Sequence, residues 1–250
     1  MSKKTPIYVF KCKYFKIELS LVILLLGLFA VRTTLVNTYD IPSGSMEPSF
    51  QIGDRYISLQ SQYTLRDPIF DTTLKNTGNV KRGDVITFIE TDSGSRYIKR
   101  VIATGGDEVK LKGYQLSVNG KAISTEKVSE TTETTLYKES VGDTEYLVKY
   151  SNEYSKLTNL ANEHSIEDLH AIIDDQAAYL RSGHWVVPEG HVFVMGDNRD
   201  SSLDSRFLSY TFVNESDIIG KAYRIIANVC PTSFLPTCFK DPWRNPYKSN

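Results

Sequence analysis

The chain has 250 residues, 40% apolar and 24% charged, with a net charge of −1. That balance excludes a disordered or collagen-like chain and allows one sizeable core. Charge is unevenly spread: six of the 29 basic residues but one of the 30 acidic residues precede Asn37, leaving a net −6 beyond it, which argues against nucleic acid as a partner.

The first element is a tail, residues 1–16, with five lysines and no acid. Residues 17–36, IELSLVILLLGLFAVRTTLV, are predicted to form a transmembrane helix, since about 20 apolar residues cross a bilayer. Arg32 lies near the end of that stretch, where it can snorkel to the headgroups. A cleaved secretory signal is the other reading, but the apolar run is long and no A-x-A site follows it cleanly. Positive flanks stay inside, so the lysines predict a cytoplasmic N-terminus and a large domain, 37–250, on the far side. There Cys230 and Cys238 could pair in an oxidising space or remain two thiols in a Pro-rich tail.

Beyond Asn37 the pattern is mostly β. DRYISLQ and DVITFIE are rich in β-branched and aromatic residues and are bounded by turn residues. SRYIKRVIATGGDEVKLKG reads as a strand entering a Gly-Gly turn, and LSVNGKAI as a hairpin around Asn119-Gly120. Residues 124–154 are polar, with the run SETTETT, and are expected as a loop or an extended edge. Residues 166–180 have apolar positions at helical spacing behind a capping Ser165. Strands resume with HWVVPEGHVFVMGDN and DIIGKAYRIIANV. The expected fold is a β-rich catalytic core, about 37–123 and 183–229, with an inserted segment containing a helix at 124–182 and an irregular tail at 230–250.

IPSGSMEPSF places Ser43 and Ser45 on one Pro- and Gly-marked bend. Such serines usually serve turn chemistry. A serine becomes a nucleophile only when a base takes its proton. His164, His170, His184 and His191 lie in no catalytic phrase, and HSIEDLH is no zinc helix. With no C-x-x-C or EF-hand spacing either, no metal or cofactor is expected. A lysine can serve instead, if burial lowers its pKa from about 10.4. Lys99 in YIKRVI sits on an apolar strand, facing the same side as Tyr97 and Val101. MGDNRDSSLDSR, 195–206, is a turn cluster whose Asp204 and Arg206 could pair and whose serines could orient an amine.

In order, PSGSMEPSF, GDRYIS with KRGDVITF, YIKRVIATGGDEV and GDNRDSSLDSR resemble the bacterial type I signal peptidases, membrane-anchored Ser-Lys proteases. The resemblance covers roughly a third of the chain. It implies Ser45 as nucleophile, Lys99 as general base, Ser43 with the Ser45 amide as oxyanion donors, and Ser202 as the lysine's hydrogen-bond partner. It implies Asp204, Arg206 and Arg100 as a supporting charge network, and Ile41, Met46, Tyr97 and Ile98 as the lining of shallow pockets for small side chains. The implied substrates are preproteins with Ala-X-Ala-like cleavage sites, and the implied location is the bacterial inner membrane, with catalysis on the extracytoplasmic side. A peptidase maturing a pilin or conjugation precursor would carry the same catalytic serine and lysine; an inactive preprotein-binding protein is the more distant alternative, which the presence of Ser45, Lys99, Ser43 and Ser202 does not favour. Ser201 stands where the family more often has Asn, and the 124–182 segment matches no part of the family pattern.

Overall fold

A computed structural model describes residues 19–27, 35–66, 73–152 and 182–228. Residues 19–27 are helical, and the apolar side chains of 21–26 are exposed. Among the described residues no helix is long and apolar enough to cross a membrane. Residues 17–18 and 28–34 of the expected span lie outside them, as do the helix expected at 166–180, Cys230 and Cys238.

The strands, in chain order, begin with β1 (Val36–Asp40), β2 (Asp54–Leu59), β3 (Thr64–Arg66), β4 (Thr73–Asn76) and β5 (Val85–Ile89). They continue with β6 (Arg96–Thr104), β7 (Glu108–Lys112), β8 (Gln115–Val118), β9 (Lys121–Ala122) and β10 (Ser124–Glu130). The last six are β11 (Thr134–Val141), β12 (Thr144–Ser151), β13 (Gly183–Val186), β14 (His191–Met195), β15 (Val213–Asn214) and β16 (Ile218–Asn228). A seven-stranded sheet has the order β1-β2-β16-β5-β6-β14-β15. Smaller sheets are β13-β7-β8-β9, β10-β11-β12 and the pair β3-β4.

Sequence explains most of these elements. β5 and β6 are dense in Val, Ile, Thr and Phe, and their ladder sets Lys99 opposite Ile86 and Arg100 opposite Val85. Asn119 and Gly120 both have positive φ (52° and 73°), as a two-residue turn between β8 and β9 demands. Alternation divides the core. Val85 and Ile98 pack with Ile41, Met46, Phe50, Tyr56, Ala222 and Ile225. Ile86, Phe88 and Val101 face the other side, with Val192, Val194 and Ile218. Burying each of Met46 and Phe50 completely contributes about 1.5–3 kcal/mol, and their position anchors the bend that carries Ser43 and Ser45.

The segment expected as a polar loop or edge is instead a three-stranded antiparallel sheet from Ser124 to Ser151. Its outer strand β10 is exposed at every position, as its polar sequence requires. β12 alternates, burying Tyr146, Val148 and Tyr150 against Val109, Leu116 and Met195. This sheet reaches the 195–206 loop directly. The Lys149 N–H donates to the Asp197 carbonyl at 2.8 Å, and the Arg199 N–H donates to the Lys149 carbonyl at 3.0 Å.

Candidate active site

The bend Gly44–Met46 is a single 3-10 turn whose first residue follows Ser43 in extended conformation. It lies over β6, and Lys99 Nζ is 2.8 Å from Ser45 Oγ. The same amine donates to the Ile98 carbonyl at 2.9 Å and lies 5.5 Å from the Tyr97 ring centre. Ser43 Oγ donates to Ser45 Oγ at 3.5 Å, the outer limit of a hydrogen bond. Ser45 is 8% exposed and Lys99 4%. Burial brings the Lys99 amine down to about 8; Asp204 and Asp197 pull it back up and Arg206 pushes it further down.

Behind the amine lies a layer of buried ion pairs. Arg100 grips Asp197 with two bonds, 2.8 and 2.6 Å, and donates to the Gly83 carbonyl at 3.0 Å. Arg206 grips Asp204 at 2.8 and 2.9 Å and reaches the Arg199 carbonyl at 2.7 Å. Burial would raise the Asp204 carboxyl, but the Arg206 guanidinium, the Gly196 N–H and the nearby Ser202 hydroxyl outweigh it, and the group stays below its usual range. Gly196 permits the close fit: a Cβ there would lie 2.2 Å from Ser202 Oγ and 2.5 Å from the Ser45 carbonyl. Arg199 donates to Glu139 of β11 through its two terminal guanidinium nitrogens, and Tyr146 donates to the same carboxylate at 3.0 Å.

Two expected positions differ in detail. Ser202 is buried beside Gly196, and its hydroxyl lies near the Asp204 carboxyl and makes no hydrogen bond to Lys99, so the expected bond to the amine is not formed. Ile41 and Met46, expected as pocket lining, are 2% and 0% exposed and pack beneath the bend. Tyr97 and Ile98 do line an open cavity of about 400 Å³, together with Ser43, Ser45, Lys99 and Leu203. A second cavity of about 420 Å³ continues it past Asp40 and Tyr39, sharing Pro42 and residues 95–98. Arg96 spans the two, its guanidinium 4.8 Å from the Tyr39 ring. The groove thus runs between the end of β1 and the start of β6. Sequence reading passed over Asp197, Asn198, Arg199 and Glu139. The first three stand inside the phrase already singled out, whereas Glu139 has no local signal. Among the described residues no His, Cys, Asp or Glu cluster could hold a metal.

A buried amine hydrogen-bonded to a serine on the floor of an open groove, in a β-rich domain, is the arrangement of the serine-lysine hydrolases. The chain belongs to the signal peptidase family, peptidase S26, whose model matches residues 14–227. It is 34% identical to signal peptidase I of Pseudomonas aeruginosa over 78% of this chain and 66% of that one. It is 31% identical to signal peptidase I of Pseudomonas fluorescens over 78% of this chain and 66% of that one. It is also 32% identical to signal peptidase I of Aquifex aeolicus, over 84% and 82% of the two chains. The chain therefore spans slightly less than two thirds of the length of the Pseudomonas relatives.

Proposed function

We propose that this chain is a membrane-anchored serine endopeptidase that removes N-terminal signal peptides from preproteins after small residues. The observation that carries this reading is the 2.8 Å contact between a buried, pKa-lowered Lys99 amine and Ser45 Oγ. That contact can run in either direction. As an ammonium the amine donates; once neutral, its lone pair accepts the serine proton.

Neutral Lys99 takes the Ser45 proton as Oγ attacks the scissile carbonyl. The developing oxyanion is held by the Ser43 hydroxyl and the Ser45 N–H. The Lys99 ammonium then protonates the leaving amine, and the carbon–nitrogen bond breaks. In the second half a water gives its proton to Lys99 and attacks the acyl-serine, and the same proton returns to Ser45 Oγ as the new N-terminal fragment departs. Ser202 is a buried hydroxyl beside Gly196 and the Asp204 carboxyl, and Arg100, Asp204 and Arg206 hold the surrounding backbone.

The substrate lies extended in the groove between Asp40–Pro42 and 95–98, adding a strand. Ile98 forms the groove wall, while Ile41 and Met46 fill the space beneath the bend, which leaves shallow pockets suited to small side chains. The exposed leucines of helical residues 19–27 support an apolar anchor over 17–36, with the N-terminus in the bacterial cytoplasm and the β domain outside it. The test is cleavage of a signal-bearing preprotein in detergent across pH, with Ser45→Ala and Lys99→Ala beside the wild type. Full processing by either variant sinks the mechanism; processing of a pilin precursor alone would redirect the substrate class.

A further inference from the structure

Asn198 lies across the bend from Lys99 and takes no part in proton transfer. Its side-chain amide donates to the Gly44 carbonyl at 3.0 Å, and its own N–H donates to the Ser45 carbonyl at 3.1 Å. Facing a carbonyl, the amide must present its NH₂. The residue is 6% exposed and forms a parallel bridge with Lys149 of β12, through the backbone bonds that Lys149 makes with Asp197 and Arg199 on either side of it. Lys149 in turn pairs with Glu47, on the far side of the same bend.

The Gly44 carbonyl and the Ser45 N–H belong to one peptide group. That group is planar and trans, so its C=O and N–H point in opposite directions. The oxygen accepts the Glu47 N–H at 3.1 Å within the turn and the Asn198 amide from outside it, and these two donors together fix the oxygen and with it the hydrogen. A donor on the oxygen also polarises the amide and strengthens its N–H as a donor. We propose that Asn198 is a positioning residue for the oxyanion hole: it holds the 44–45 peptide plane so that the Ser45 N–H faces the groove. This rests on the peptidase reading above and adds to it a residue that touches neither substrate nor reacting atoms.

The test uses the full chain in detergent. Asn198→Asp has the same size but turns the donor into an acceptor aimed at a carbonyl. Asn198→Ala removes this side-chain donor, leaving the Glu47 N–H on the Gly44 carbonyl, without adding charge, and serves if the first variant fails to fold. Each is compared with wild type in three readouts. The first is kcat and KM on a signal-peptide-derived peptide. The second is affinity for a peptide boronate, in which Ser45 Oγ bonds to trigonal boron, its proton passes to Lys99, and one boron-bound oxygen enters the hole. The third is affinity for an uncleavable peptide of the same sequence.

Loss of a whole oxyanion donor costs about 10²–10³ in turnover, so misaiming one is expected to cost about 10–100-fold in kcat. KM and the uncleavable peptide should change less than about twofold. The boronate should weaken by the same factor as kcat, and the acid limb of the pH profile should stay in place. Equal weakening of boronate and uncleavable peptide, or a shifted acid limb, would mean that Asn198 merely maintains the loop, and overturns the inference. Wild-type rates in the variants overturn it too. A wild-type chain that neither cleaves nor captures the boronate overturns the peptidase reading first, and the inference with it.

Discussion

A free lysine titrates at 10.5, and burial holds Lys99 at about 8. If Lys99 must be neutral to accept the Ser45 proton, kcat/KM should rise with pH on an acid limb centred near 8. A peptide that closes the groove removes more water, so the limb in kcat should lie lower still. The measurement is a pH–rate profile with saturating and limiting peptide; a limb absent between pH 6 and 9 removes Lys99 as the base. The same shift is a statement about stability. Between about 8 and 10.5 the unfolded chain binds more protons at this site than the folded one, so stability rises with pH across that window. Below about 8 the penalty is present in full, about 3 kcal/mol. Lys99→Met should therefore abolish turnover and yet stabilise the fold at pH 7 by about 2 kcal/mol, after allowing for the Ile98 carbonyl left without its donor. Urea midpoints at pH 7 and pH 10.5 check this, and the gain should shrink at the higher pH. Site residues were legible to the extent that short phrases marked them. Ser43, Ser45 and Lys99 converge in space as their phrases suggested. Burial depth was not legible: Ile41 and Met46 are buried in the cluster beneath the bend.

At the level of elements, the pairing of β11 with the 195–206 loop rests on a fully buried ion pair. Arg199 and Glu139 are 1% and 0% exposed. Burying such a pair is costly, and removing one partner is worse, at about 3–5 kcal/mol. Glu139→Ala should accordingly lower Tm by about 10 °C, at roughly 2–4 °C per kcal/mol for a domain of this size. Glu139→Ala with Arg199→Met should recover much of that loss, because no unpaired charge remains. Thermal unfolding of both variants decides it; equal loss in the single and double variants would mean that the pair acts only through packing. This contact also explains what the sequence concealed. β5, β6, the Asn119-Gly120 hairpin and β16 were legible because β-branched runs ended in turn residues. Ser124–Ser151 was read as a polar loop or edge because β10 has no buried face, and its Thr residues favour strands without being apolar. The alternation of Tyr146, Val148 and Tyr150 was the available signal. No local pattern could join Glu139 to Arg199, 60 residues away.

For the whole molecule, the placement of the reacting bend relative to the expected anchor has a kinetic consequence. Nine residue steps lead from Val36 to Ser45, and an extended chain of that length reaches at most about 32 Å. β1, Val36–Asp40, covers the first four of those steps, so the groove that begins at Tyr39 lies within strand length of the point where the anchor would leave the bilayer. A preprotein whose own apolar segment sits in the same bilayer would present its cleavage site at a matching height. Anchor and substrate would then meet on a surface rather than in bulk, where effective concentrations approach the millimolar range. A free peptide gains nothing from this. A fragment beginning at Asn37 should cleave a soluble peptide within about threefold of the full chain, since the groove, Lys99 and the buried ion pairs all follow that residue. The same fragment should process a preprotein embedded in vesicles at least about tenfold more slowly than the full chain reconstituted beside it. Side-by-side initial rates on the two substrates check this; equal rates on the embedded preprotein would mean that anchoring adds nothing to encounter.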